Sequence, residues 1–265
     1  MSRIAQRFER LKSEGRRGFI PFITAGDPDL ETTFELLIEL SDAGASLIEL
    51  GVPFSDPVAD GPVIQRASER ALRHNFGLEE ILRLVSRLRE KRDVPVVLFS
   101  YFNPLLQYGL ERLSREASRA GVDGLLVTDL VPEEASEFSA TLRAHELDMI
   151  FLVAPTSTDE RLRLVAERAT GFIYAVSRAG VTGAREEMSR DAETLVARVR
   201  RFSELPVAVG FGISTAEQVG DVWRYADAAV VGSAIVSEIE RLKGAQDLTK
   251  RLGEFARGLL PVPES

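Results

Sequence analysis

Glu49 and Asp60 stand eleven positions apart in the stretch SLIELGVPFSDPVADG (46–61), in surroundings unlike enough to divide acid–base work between them. Residues 46–50 read as a short buried strand, whose period-two alternation sets Leu47 and Glu49 on one face and Ile48 and Leu50 on the other. A carboxylate carried into such a strand is costly unless paired or neutralised. The structural alternative is a Glu satisfied by an Arg or by backbone donors. A Gly-, Pro- and Asp-rich loop follows at once and carries Asp56 and Asp60. A strand-end Glu with a second acid in the next loop reads as an acid/base pair.

The elements that must hold this pair recur along the chain. Apolar runs at 19–24, 46–50, 95–100, 123–128, 149–154, 172–177, 206–211 and 227–232 predict eight strands. Amphipathic helices are predicted between them, among others at 32–44, 77–91, 110–121 and 159–169, with Gly44, Gly121 and Gly171 as C-caps. Continuous apolar strands alternating with helices indicate a covered parallel sheet. Eight such units in 265 residues fit a (β/α)8 TIM barrel of α/β class, one domain over 1–265 with an extra N-terminal helix at MSRIAQRFERLKSEGRRG. An open doubly wound sheet would place a G-x-G-x-x-G turn after the first strand, where TAGDPD stands instead.

In a barrel the chemistry belongs to the loops after the strands. The distinctive sequences all fall there: TAGDPD, GVPFSDPVADGP, SYFNP, TDLVPEE, APTS, SRAGVTGA, GFGIS and VGSAIV. Glycine-bearing loops after strands 6, 7 and 8 predict a phosphate corner built from backbone N–H groups, with Ser233 adding a hydroxyl at the start of the last helix. Phe22, Tyr101 and Tyr174 lie toward the loop ends, where they either pack the barrel or line an aromatic substrate pocket. Arg178, Glu186 and Glu187 read as solvated lid charges, and His74 and His145 as surface residues.

Composition narrows the chemistry further. A net charge of −8, from 33 basic and 41 acidic residues, argues against a nucleic-acid surface but leaves a small anionic substrate open. Two isolated histidines and no cysteine give no basis for a metal site, and none of the four lysines (Lys12, Lys91, Lys243, Lys250) ends a strand, as an imine-forming lysine would. Without a signal-peptide core or a run of 18 apolar residues, the expected location is the cytoplasm.

PFITAGDP (21–28), ELGVPFSDPVADGP (49–62), SRAGVTGA (177–184), GFGIS (210–214) and VGSAIV (231–236), in that order, resemble the α subunit of tryptophan synthase. The segment TDLVPEE (128–134) departs from that family's usual prolines, while Asp129 is kept. The resemblance implies retro-aldol cleavage of indole-3-glycerol phosphate to indole and glyceraldehyde 3-phosphate, without a cofactor in this chain. It places catalytic roles on Glu49, Asp60 and Tyr174, and phosphate binding on Gly183, Phe211, Gly212, Gly232 and Ser233. With it, Phe22, Tyr101, Asp129 and Thr182 are read as the substrate pocket. The implied partner is a pyridoxal-phosphate-dependent β subunit in an α2β2 complex, with Asp56 and Pro57 as contacts in the first long loop. In mechanism, Glu49 is expected to serve as proton carrier, and Asp60, in a more polar loop, to stay ionised beside the indole N–H. Rival readings are a phosphoribosyl-type isomerase barrel, a regulatory barrel that mainly activates its partner, and a free-standing indole-releasing lyase.

Overall fold

The computed structural model describes residues 1–176, 185–210 and 212–261, with the backbone alone over 185–189. All eight predicted strands form, each within two residues of the expected bounds: β1 Gly18–Thr24, β2 Ile48–Gly51, β3 Val96–Ser100, β4 Gly124–Val127, β5 Asp148–Val153, β6 Ile173–Val176, β7 Val207–Gly210 and β8 Ala228–Val231. They pair in parallel in chain order, and β8 returns to β1 to close the barrel. Around it run α1 Arg3–Ser13, α2 Leu30–Asp42, α3 Pro62–Leu72, α4 Leu78–Arg89, α5 Phe102–Tyr108, α6 Leu110–Ala120, α7 Ser136–Ala144, α8 Asp159–Arg168, α9 Arg185–Val199, α10 Ala216–Trp223, α11 Ser233–Leu242 and α12 Leu248–Gly258.

The alternation in each strand divides its side chains between two cores. Ile48 and Leu50 join the apolar layer between barrel and helices. Leu47, Val97, Leu126, Ile150, Phe172 and Val230 fill the barrel interior. Helix α1, the extra N-terminal helix, presses Ile4, Phe8 and Leu11 into that interior from below, with Phe8 packed on Phe172 at 5.9 Å. Its Arg3 bonds Asp93 and the buried Asp123, which also receives Arg89 at 2.7 Å and the Val96 N–H at 2.7 Å. The lower end of the barrel is thereby plugged.

Two helix-end expectations need correction. Gly121 takes the left-handed C-cap conformation (φ 87°), and Gly44 lies one residue past the Ala43 cap with φ 103°. Gly171, in contrast, caps nothing. Helix α8 ends at Arg168, and Gly171 (φ 73°) turns the chain into β6 against Asp148. Ser233 starts α11 as expected, but α12 follows, so that helix is not the last.

Candidate active site

Glu49 sits in the middle of β2, level with Phe22 on β1 and Val97 on β3. It shares the interior-facing parity of Leu47, which points it into the barrel. It is 1% exposed, and its Oε1 has no hydrogen-bond partner. Burial alone pushes its carboxyl up to about 8. The neutral acid therefore predominates at pH 7, poised to give a proton. Tyr174, on the interior face of β6, feels the Glu49 charge; burial first and that charge second hold its hydroxyl well above the usual tyrosine range. It remains a hydroxyl and can act only as a hydrogen-bond donor or acceptor.

Asp60 ends the loop that leaves β2, one residue before the Gly61 N-cap of α3. It is half-buried. The loop is less polar around it than expected: burial pushes its carboxyl up to about 6, opposed by a hydrogen bond from Tyr101. It is still mainly ionised at pH 7. Tyr101, at the end of β3, accepts the Ala59 N–H at 2.9 Å and stacks on Phe54 at 5.2 Å. Burial and the neighbouring Asp60 push its hydroxyl up to about 12, so it stays protonated. The two carboxyl groups thus sit apart in acidity, one able to give a proton while the other holds charge.

The rim is built from side chains that brace one another. Phe22 meets Phe99 edge-on at 5.3 Å and packs with Ala67 of α3 and Val236 of α11. Asp129 is exposed and accepts the Phe102 N–H at 2.7 Å, which caps α5 beside Tyr101. Gly232 is the N-cap of α11 and Ser233 its exposed first residue, with the helix's first N–H groups facing the mouth. Gly212 has φ 74° and open space where a side chain would stand. Asp56 is exposed, whereas Pro57, expected to be exposed with it, is half-buried. Gly183, Thr182, Phe211 and Arg178 lie outside the described residues, as do the side chains of Glu186 and Glu187. His74 is exposed, and His145 is half-buried against Glu111 at 3.1 Å. All four lysines are exposed and away from strand ends.

Several residues that shape the site went unnoticed in the sequence. Gln65 holds the acid loop by donating to the Asp60 carbonyl at 2.9 Å. A Cβ on Gly210 would lie 2.0 Å from the Tyr174 hydroxyl, and one on Gly51 would lie 2.6 Å from the Phe22 ring, so both strand-end glycines make room for site aromatics. Arg70 of α3 grips the buried Asp27 with two bonds of 2.7 Å and Glu240 of α11 with a third of 2.7 Å. This fixes the helix that follows Asp60 against the helix that begins at Ser233. Glycines closing apolar strands were a readable signal; Gln65 and Arg70 gave none.

Fold and site define a (β/α)8 barrel that carries two carboxyl groups of unlike acidity toward its C-terminal mouth. The tryptophan synthase alpha chain family profile matches residues 8–260. Among curated relatives, the tryptophan synthase alpha chain of Citrifermentans bemidjiense is 54% identical over 98% of this chain and 97% of its own length. That of Geobacter sulfurreducens is 51% identical, covering 98% of each. The solved tryptophan synthase alpha subunit of Legionella pneumophila superposes with a TM-score of 0.91 at 38% identity, covering 98% of this chain and 97% of that one. A chain of the tryptophan synthase a2b2 complex of Pyrococcus furiosus gives 0.85 at 41% identity, over 91% and 97%. The chain belongs to the tryptophan synthase alpha chain family. Its activity is the lyase half-reaction, the cleavage of indole-3-glycerol phosphate.

Proposed function

We propose that one barrel domain performs this cleavage with Glu49 as proton carrier and Asp60 as the fixed charge. The neutral Glu49 gives its proton to indole C3, and Asp60 hydrogen-bonds the ring N–H as positive charge develops there. The Glu49 carboxylate then takes the proton of the C1′ hydroxyl. The C–C bonding pair returns to the ring as the aldehyde forms, so indole leaves and Glu49 is again neutral. Tyr174 lines the path beside Glu49, and Phe22, Tyr101 and Asp129 shape the indole end with Thr182. The phosphate rests on backbone N–H groups near Gly183, Phe211, Gly212, Gly232 and Ser233. Neither metal nor cofactor takes part in this chain, and pyridoxal phosphate belongs to the partner. The partner is a tryptophan synthase β subunit in an α2β2 complex in the cytoplasm, seated at Asp56 and Pro57. Among the described residues no helix is long and apolar enough to cross a membrane.

The observation that carries this reading is a buried Glu49 whose Oε1 has no hydrogen-bond partner and whose carboxyl is pushed up to about 8, toward the same barrel mouth as Asp60. The test is indole release from indole-3-glycerol phosphate, with and without a cognate β chain. Slow release that rises on titrating β chain is expected. A flat response from an already fast chain selects the free-standing lyase, and absence of release under both conditions overturns the reading.

A further inference from the structure

The rim of β1 carries a polar atom that the mechanism above does not use. Thr24 closes β1, is 2% exposed, and its Oγ1 has no hydrogen-bond partner. A hydroxyl buried in this way destabilises the fold, and native chains keep few of them. Among the described residues the other orphaned side-chain atoms are on Glu49, Ser139 and Asp148. Ser139 is on the outer helix α7 and Asp148 opens β5 at the plugged end. Only Glu49 and Thr24 lie on strands toward the mouth.

Position then says what Thr24 can meet. Phe19 and Ile23 face the helices while Ile20 and Phe22 face inward, so strand alternation puts Thr24 on the inward face beyond Phe22. Its register partner on β2 is Gly51, which offers no side chain to pair with the hydroxyl; the Phe22 ring fills the space over that glycine. Strand β1 lies between β2, which bears Glu49, and β8, which leads into Gly232 and Ser233. Resting on the reading above, the substrate's C1′ is at Glu49 and its phosphate at Gly232 and Ser233. Of the two carbons between them, C2′ bears a hydroxyl, and it crosses the rim of β1.

We propose that Thr24 is a specificity-determining residue whose Oγ1 hydrogen-bonds the C2′ hydroxyl of the substrate's glycerol chain. The bond forms only in the complex, which explains why the hydroxyl is left unpaired without substrate. Thr24 holds the chain between its two anchored ends and moves no proton. It selects a hydroxylated three-carbon linker over a plain one.

Thr24→Val exchanges the hydroxyl for a methyl group of the same shape, and Thr24→Ser restores it. Thr24→Val should lower kcat/KM about 10- to 100-fold, the cost of an unpaired hydroxyl in a closed site. Its Tm should equal or exceed that of the wild type, because an orphaned group has been removed. Thr24→Ser should recover most of the activity. Binding of 3-(indol-3-yl)propyl phosphate, which lacks the chain hydroxyls, should be the same in wild type and Thr24→Val. Activity of Thr24→Val within about twofold of an active wild type overturns the assignment. A lowered Tm with equally weakened binding of the deoxy analogue shows a structural hydroxyl and overturns it as well. A wild type that releases no indole refutes the lyase reading itself, before any variant is compared.

Discussion

Replacing Glu49 by Gln should trade activity for alkaline stability, by an amount that the burial of this one group sets. Its carboxyl is pushed from the ordinary 4.5 up to about 8 by loss of solvent. Between those values the native chain holds a proton that the unfolded chain has released, so stability falls as pH rises through this window. At about 1.36 kcal/mol per pH unit, the loss by pH 8 is on the order of 3–5 kcal/mol. Gln cannot ionise and escapes that loss. It leaves an unpaired amide where an unpaired carboxyl oxygen stood, but that offset does not change with pH. The difference in Tm between Glu49→Gln and wild type should therefore move in the variant's favour by about 6–20 °C from pH 4.5 to pH 8, at about 2–4 °C per kcal/mol. Over the same range its lyase rate should stay about 10²- to 10⁴-fold below wild type. Thermal melts of both proteins across pH, with indole release at each point, make the measurement. Parallel Tm curves would refute the argument that burial keeps Glu49 protonated, and a rate within a few-fold of wild type would refute its role.

The pH dependence of kcat/KM should be bell-shaped, with limbs near 6 and 8, because Asp60 must be ionised and Glu49 protonated; a rate still rising at pH 9 contradicts those roles. Tyr101→Phe removes the hydroxyl that bonds Asp60 and the Ala59 N–H, so the acid limb should move upward and the rate fall about 10-fold or more. An unmoved limb makes Tyr101 a packing residue only. Gly210→Ala puts a methyl group 2.0 Å from the Tyr174 oxygen, and should cost about 1–3 kcal/mol in denaturant unfolding as well as activity. Wild-type stability and rate would show that Tyr174 has room to swing aside.

The strands were legible because barrel strands buried on both sides are continuous apolar runs, and Glu49 because it interrupts one of them. The placement of Asp60 beside the mouth was legible from its loop, but its acidity was not. Half-burial comes from the fold around the loop, and the opposing hydrogen bond comes from Tyr101 just past β3, a strand the local sequence does not mention. Gly171 misled for a related reason: a glycine after a helix reads as a cap, while the need here was a turn against Asp148. Arg70 stayed hidden among many helical arginines, since only the fold brings Asp27 and Glu240 to it. Charges are readable as charges; what they grip is a property of the closed barrel.

The plug formed by α1 bears on how the product travels. Among the described residues, Ile4, Phe8 and Leu11 seal the floor and Leu47, Val97, Leu126 and Phe172 fill the space above them, so the barrel is closed below. Indole freed beside Glu49 cannot leave through that packed floor and departs on the mouth side, where the substrate entered. That doorway is rimmed by the loop bearing Asp56, Pro57 and Asp60. Whatever covers it controls both admission and discharge, so a single lid is enough to route a small, oily, readily lost molecule to one destination.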